Sequence, residues 1–150
     1  MGNYKDHTKL AYIRKKKWDD LTYEEVRFLR INGILNGFGG AWQSRIVRWL
    51  IGYLLADFNE AIPDKHDFAY WVGVRYCFIP IGTYPRIRKK IIERRRKECD
   101  EWFYEAMLYD IRSRYDQGRI SKWGVVYKSF IALGAYSAIR LYWAKYFNYE

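Results

Sequence analysis

The sequence predicts an all-α protein, and three features support this prediction. Only 3 of the 150 residues are proline, so few positions interrupt a helix. Apolar residues recur at steps of three and four positions, which is typical of helices with one buried face. Polar breaks with glycine or proline separate those stretches. The hydrophobic fraction is 50%, which is enough for one sizeable core, so we expect a single domain over residues 1–150.

The first third of the chain is predicted to hold a basic arm and two helices. Residues 1–20 are polar and cationic with scattered aromatic side chains, and we interpret them as an arm. Thr22 and Glu25 form a capping-box pattern that starts a short helix, which ends at Asn32 and Gly33. A glycine-rich loop follows, and a second helix is predicted over residues 41–58.

The rest of the chain is predicted to form three further helices. Pro63 suits the first turn of a helix that runs through His66 to about Gly73. Residues 77–85 contain Pro80, Gly82 and Pro85 and are interpreted as a connection. A long helix is expected from residue 86 to about 115, and an apolar, aromatic helix from residue 123 to about 147.

The positive charge is concentrated in one segment. The chain carries a net charge of +10, and residues 86–97 hold eight cations and one anion, Glu93. Such a segment suits phosphate groups of lipid headgroups or of nucleic acid. From the charge alone, a solvated helix face that aids solubility is an equally good interpretation. The eight cations are Arg86, Arg88, Lys89, Lys90, Arg94, Arg95, Arg96 and Lys97.

The cysteine content and hydropathy exclude several classes of protein. Cys77 and Cys99 are the only cysteines, which excludes a disulfide framework and favours a reducing compartment or a virus particle. Residues 1–20 lack the apolar run of a signal peptide. No window offers about 18 uncharged apolar residues, so the sequence predicts no ordinary membrane span.

A histidine and an aspartate are predicted to meet between two helices. His66 lies on the apolar face of its helix with Tyr70 one turn later. Asp100 begins a second apolar stripe, on the long helix, and a buried carboxylate there needs a donor. A His–Asp pair fixes the imidazole tautomer and leaves the other ring nitrogen able to accept a proton. From these residues alone, a core histidine and a structural acid paired with a cation remain open interpretations.

The glycine-rich segment, residues 35–40, is a candidate metal loop. Glycines allow several backbone carbonyls to turn toward one point, and calcium prefers oxygen ligands. One carboxylate, such as Asp67, together with these carbonyls would suit calcium. A simple turn is the common alternative for such a cluster.

Together these three motifs resemble the phospholipase A2 family. The segment Leu35-Asn36-Gly37-Phe38-Gly39 is similar to the calcium loop of that family. The segment His66-Asp67-Phe68-Ala69-Tyr70 resembles its active-site helix, especially that of the parvovirus capsid domain. Asp100 corresponds to the aspartate that supports the histidine. The likeness covers residues 33–112 and is greatest to a disulfide-poor group from bacteria and their phages, in which an Ala-Ile-Arg step like that at residues 138–140 is common.

The resemblance implies a fold, a reaction and a cofactor. It implies a phospholipase A2-like core over residues 21–116, in which two long antiparallel helices carry His66 and Asp100. An arm at 1–20 and an apolar, aromatic helix at 119–150 flank this core. His66 is then the base that activates water toward the sn-2 ester of a glycerophospholipid, Asp100 holds the imidazole, and Tyr70 hydrogen-bonds Asp100. The implied cofactor is Ca2+, bound by Asp67 and by the carbonyls of Leu35, Gly37 and Gly39.

Two departures from the family pattern accompany this resemblance. Leu35 stands where the family has an aromatic residue. The spacing between Gly37 and His66 is 29 residues, longer than in the secreted and capsid versions.

The implied function is a calcium-dependent phospholipase associated with a phage or virion and used for membrane breach. Its partner is then a phospholipid membrane surface, and its location the virion or the bacterial host cytoplasm. The alternative is a catalytically silent virion structural or cargo protein of the same fold, which binds packaged DNA or neighbouring subunits through residues 86–97. A membrane-bound helical protein without catalysis is a third hypothesis, because residues 46–55 and 125–147 suit either interfacial or buried helices.

Overall fold

The computed structural model confirms the all-α prediction. It describes residues 6–35, 53–55, 58–73, 79–142 and 147, and within these ranges it contains helices and no β-strand. No helix among these residues is long and apolar enough to cross a bilayer. The helices are α1 (His7–Ile13), a 3-10 helix (Trp18–Asp20), α2 (Tyr23–Ile31), α3 (Ala61–Val72), α4 (Pro85–Asp116) and α5 (Lys122–Tyr142).

The N-terminal residues fold against the rest of the chain, so the prediction of an arm is wrong for residues 6–20. Asp6 caps α1 by accepting a hydrogen bond from the backbone N–H of Lys9 (3.0 Å). Ile13 is fully buried. It belongs to a second, smaller core that we call the N-terminal cluster, formed by Ile13, Leu29, Leu35, Phe68 and Val72. Because Ile13 is the one buried residue of α1, no periodic stripe in the sequence predicted this docking.

The capping box predicted for α2 is confirmed. The backbone N–H of Glu25 donates to the Thr22 hydroxyl (3.3 Å), and the Glu25 carboxylate accepts from the backbone N–H of Thr22 (2.9 Å). The same carboxylate also accepts a hydrogen bond from Lys16 Nζ (2.7 Å), which ties α2 to the preceding residues. The helix ends at Ile31, and Gly33 follows with φ 69°, a left-handed conformation that favours glycine.

The three longer helices pack around the larger of the two cores, which we call the main core. Its buried members include Ile62 and Tyr70 from α3, Phe103 and Met107 from α4, and Ile139 from α5. These helices bury one face each, as the spacing of their apolar residues predicts.

The contacts between α3, α4 and α5 define their directions. Near its beginning, α3 places Ile62 beside Ala106 of α4, where both line one groove. Two turns later, Tyr70 contacts Asp100, so α3 and α4 run antiparallel. On α5, Tyr136 stacks near Tyr104 with ring centroids 5.2 Å apart, and Arg140 contacts Asp100. The helix α5 is therefore also antiparallel to α4.

The boundaries of these helices agree closely with the predictions. The helix α3 begins two residues before Pro63 and ends at Val72, where Gly73 has φ 61°. The helix α4 spans 32 residues, or about 48 Å. The predicted helix over residues 41–58 is described only at 53–55, which are helical, and at Phe58, and the predicted end of the last helix falls partly on residues 143–146, which lie outside the described part.

Candidate active site

The imidazole of His66 meets the carboxylate of Asp100 in the interior of the protein. His66 Nε2 lies 3.1 Å from Asp100 Oδ1, and the Tyr70 hydroxyl donates to the same oxygen (2.5 Å). His66 and Tyr70 are four residues apart on α3, so both side chains leave the same face of that helix. The three predicted catalytic residues are thus in direct contact.

Asp100 is the centre of this arrangement, because donors surround both of its oxygens. It is fully buried, with 0% exposure. Arg140 Nη1 donates to Oδ2 (2.8 Å), and Arg96 Nη1 lies 3.7 Å from the same atom. Burial alone would raise the pKa of Asp100, but hydrogen bonds from His66, Tyr70 and Arg140 outweigh it and hold the pKa below its usual range. Asp100 is therefore ionised at neutral pH.

An ionised Asp100 decides the tautomer of the neutral imidazole. A carboxylate only accepts hydrogen bonds, so His66 must carry its proton on Nε2 and keep the lone pair on Nδ1. Burial and the neighbouring carboxylate raise the pKa of Tyr70, so its hydroxyl stays protonated and remains a donor. The arrangement presents Nδ1 as the proton acceptor.

The surroundings of the imidazole are aromatic. The ring centroids of Tyr70 and Phe103 lie 4.3 Å and 4.9 Å from that of His66. Phe147 packs edge-on against Tyr70, with centroids 5.2 Å apart. His66 is only 4% exposed, so its imidazole is shielded from bulk water.

A second carboxylate links the two arginines beside Asp100. Glu93 Oε1 accepts from Arg96 Nη2 (2.7 Å) and from Arg140 Nη2 (2.9 Å). Arg140 thus bridges Glu93 and Asp100. The pKa of Glu93 lies below its usual range, mainly because Arg96 donates to it.

Arg140 and Glu93 were not predicted to belong to the site. One signal was present, since Glu93, Arg96 and Asp100 follow at steps of three and four and therefore share one face of α4. Arg140 comes from a different helix, and its signal was the Ala-Ile-Arg step at residues 138–140, which marked the residue but not its contacts with α4.

The assignment of Arg96 to a phosphate-binding surface is wrong. Arg96 is 5% exposed and its guanidinium binds Glu93, so it is not available to a headgroup or to nucleic acid. Three other cations of the segment are paired along α4. Arg94 and Arg95 lie 3.3 Å and 3.6 Å from Glu98. Lys97 lies 3.4 Å from Glu101.

The other four cations lie at the start of α4. They are Arg86, Arg88, Lys89 and Lys90, and all are exposed. No acidic residue occurs in the first turn of this helix.

The predicted calcium ligands are described only in part. Asp67 is half-buried on α3 and Leu35 is buried in the N-terminal cluster. Phe68, the residue after Asp67, belongs to the same cluster as Leu35. Gly37 and Gly39 lie outside the described residues. Within the described ranges, no group of three or more His, Cys, Asp or Glu residues could hold a metal.

A groove of about 520 Å³ lies between the beginning of α3 and the second half of α4. Asn59, Ile62, Trp102 and Tyr109 are among its lining residues, but His66, Tyr70 and Asp100 are not. We therefore do not assign it to the candidate site.

Comparison with known proteins adds no relative. The chain matches no family model, no curated protein and no solved structure.

Proposed function

We propose that this chain is a calcium-dependent hydrolase of phospholipid esters, of the phospholipase A2 type. The observation that supports this proposal is the contact between His66, Asp100 and Tyr70 inside an aromatic environment. A shielded imidazole that is oriented by an ionised carboxylate suits a general base. The resemblance of the motifs supplies the substrate class.

In the proposed reaction, Nδ1 of His66 accepts a proton from a water molecule as the water oxygen attacks the ester carbonyl carbon. Asp100 stabilises the imidazolium that forms, because its ionised carboxylate accepts the hydrogen bond from Nε2–H. The acyl C–O bond then breaks, and the imidazolium returns the proton to the leaving oxygen. The products are a fatty acid and a lysophospholipid.

Tyr70 and Arg140 act as positioning residues in this proposal. Tyr70 donates to Oδ1 and Arg140 donates to Oδ2, so the carboxylate plane is held from both sides. The rings of Tyr70 and Phe103 flank the base and shield it from bulk water.

The proposed cofactor is a calcium ion held by Asp67 and by the backbone carbonyls of Leu35, Gly37 and Gly39. Calcium, when bound, stabilises the negative charge that develops on the carbonyl oxygen. Asp67 directly follows His66 on α3, so one helix presents the base and the metal carboxylate in the same region.

The proposal is tested by fatty-acid release from phospholipid vesicles, with calcium and with a chelator. We expect calcium-dependent release and a loss of at least about 100-fold in His66→Gln. The matched control is His7→Gln, since His7 is the other histidine and is exposed on α1; it should retain full activity. Release that persists in folded His66→Gln would contradict the proposal.

A second variant, Asp67→Asn, tests the proposed calcium site without changing the buried residues His66, Tyr70 and Asp100. We expect Asp67→Asn to retain the fold and to lose calcium binding measured by titration calorimetry. Unchanged calcium affinity in this variant would show that Asp67 is not a ligand.

The alternative of a catalytically silent virion protein draws on the exposed cations at the start of α4. Arg88, Lys89 and Lys90 suit a nucleic-acid backbone. This hypothesis expects salt-dependent DNA retention that Gln substitutions of these three residues abolish. Retention that does not respond to salt would remove it.

A further inference from the structure

The outward face of α5 is apolar over nearly its whole length. Six large hydrophobic side chains are exposed there, including Trp123 at 81% and Phe130 at 70%. Gly134 and Ser137, which are also exposed, fill the interval before the last of them. We call this surface the α5 stripe. Its members are Trp123, Val126, Tyr127, Phe130, Leu133 and Leu141. It extends over 19 residues, from Trp123 to Leu141, a rise of about 27 Å.

The charged residues within this part of α5 do not interrupt the stripe. Lys128 is half-buried, with Nζ 5.5 Å from the ring centroid of Phe58. Arg140 is held by Asp100 and Glu93. The stripe is therefore a continuous uncharged surface.

Packing among the described residues does not account for the α5 stripe. The inward face of α5 contributes Ala132 and Ile139 to the main core. The stripe lies on the opposite face of α5 from these two residues. An exposed apolar surface of this size marks an interaction site rather than an ordinary helix face.

Exposed cations lie at both ends of the α5 stripe. Arg119 and Lys122 are exposed beside its first residue. Its last residue, Leu141, follows Arg140, which contacts Asp100 of α4. The four exposed cations at residues 86–90 lie further along α4, and Arg88 is 12 residues, or about 18 Å, from Asp100. An anionic partner would therefore meet positive charge at each end.

The start of α4 also favours an anionic partner. Positive side chains in the first turns of a helix oppose its dipole. Residues 86–90 supply four of them with no acidic residue in the first turn. A surface of negative charge would relieve this repulsion.

From these observations we propose that the α5 stripe docks on an anionic phospholipid bilayer. The aromatic and aliphatic side chains enter the interfacial region, and the cations at both ends contact headgroups. The inference goes beyond the proposed hydrolysis, because it requires neither His66 nor calcium.

A second copy of the chain suits this surface less well. In an antiparallel pair along the stripe, the Arg119 and Lys122 end of each copy faces the end of the other copy toward which residues 86–90 lie on α4. In a parallel pair, each cationic end meets its own equivalent. Both arrangements oppose like charges across the contact.

The test is co-sedimentation of the full chain with vesicles in the presence of a chelator, so that hydrolysis does not interfere. One set of vesicles contains phosphatidylglycerol and phosphatidylcholine, and the other phosphatidylcholine alone. We expect binding to the anionic vesicles that weakens with salt. The double variant Phe130→Ser, Leu133→Ser should lower the partition coefficient at least about tenfold.

The matched control replaces one aromatic and one aliphatic residue that are exposed elsewhere. Tyr23→Ser, Ile31→Ser changes α2 and should bind like wild type. All four sites are exposed, so we expect helical circular dichroism to be unchanged in both variants. Equal losses in the two variants, or equal binding to both kinds of vesicle, would overturn the proposal. A dimer in sedimentation velocity that the stripe variant abolishes, without vesicle binding, would assign the face to a second copy and also overturn it.

Failure of this inference is distinguishable from failure of the proposed function. His66→Gln should bind the anionic vesicles like wild type. A wild-type chain that cleaves dispersed short-chain phospholipid without binding vesicles would overturn the docking alone. Vesicle binding without any hydrolysis would leave the docking intact and contradict the hydrolase.

Discussion

Two regions of α4 carry similar charged residues but use them differently. Residues 86–90 hold four exposed cations at the free start of the helix. Two turns later, Arg96 is 5% exposed and lies between the carboxylates of Glu93 and Asp100. The run of cations at residues 86–97 therefore contains solvent-exposed side chains at 86–90 and a buried, ion-paired side chain at Arg96.

The neighbouring helix accounts for this difference. Around Asp100, α4 is covered by α3 on one side and by α5 on the other, and Arg140 of α5 enters the same network. The first residues of α4 are exposed on every side. A cation beside other helices must be paired, because an unpaired buried charge is expensive, whereas a cation in water needs no partner.

The largest expected effect comes from removing the buried charge. Asp100→Asn leaves Arg140 and Arg96 without their shared carboxylate. We expect a loss of about 3–5 kcal/mol in the free energy of unfolding, measured with urea at neutral pH. Glu98→Gln, at an exposed carboxylate of the same helix, should change it by no more than about 0.5 kcal/mol. Equal losses of unfolding free energy in the two variants would show that burial does not determine how much a charged residue of α4 contributes to stability.

The stabilisation by Asp100 should also depend on pH. Because its pKa is lower in the folded chain than in the unfolded chain, it stabilises the fold above the ordinary carboxyl pKa of about 3.9. That contribution is lost as the pH falls through the lowered pKa. The difference in stability between wild type and Asp100→Asn should therefore be constant near neutral pH and shrink in acid. Urea titrations at several pH values measure this, and a difference that grows in acid would contradict it.

A smaller effect is expected at Arg96. Arg96→Gln removes one of the two arginines that donate to Glu93. The other, Arg140, still binds both Glu93 and Asp100. We expect a loss of about 1–3 kcal/mol in urea unfolding. Arg94→Gln is the matched control, because the Arg94 side chain is 82% exposed, and it should have almost no effect. A larger loss of unfolding free energy in Arg94→Gln than in Arg96→Gln would contradict the structural role of Arg96.

The smallest effect on stability is expected at the exposed start of α4. Arg88→Gln, Lys89→Gln removes two charges that oppose the helix dipole. The midpoint of urea unfolding should stay the same or rise slightly. A clear fall in the midpoint would place these side chains in a structural network.

Much of the fold was predictable because local rules decide it. The capping box at Thr22, the glycine after α2 and the spacing of apolar residues placed helix ends within a few residues of those observed. The docking of α1 was not predictable in the same way, since it depends on Ile13 meeting side chains from later helices.

In the candidate site too, features that depend on one helix were easier to predict than contacts between distant parts of the chain. A buried carboxylate needs donors, and two helix faces could present His66 and Tyr70 to Asp100, but the residues alone left this contact open. The resemblance to the phospholipase A2 family supplied the prediction that the three residues meet. The contact with Arg140 joins residues 40 positions apart and follows only from how α5 lies on α4. The roles of Gly37 and Gly39 stay predictions, since these residues lie outside the described part.

The shared carboxylate of Asp100 has a consequence for the order of assembly. Its partners come from α3, from α4 itself and from α5, so no pair of helices alone satisfies it. The carboxylate that orients the imidazole has all of its donors only when the three helices have docked. Competence for proton transfer and completion of the tertiary structure should then arise in one cooperative step, and a chain that ends before Arg140 should possess neither.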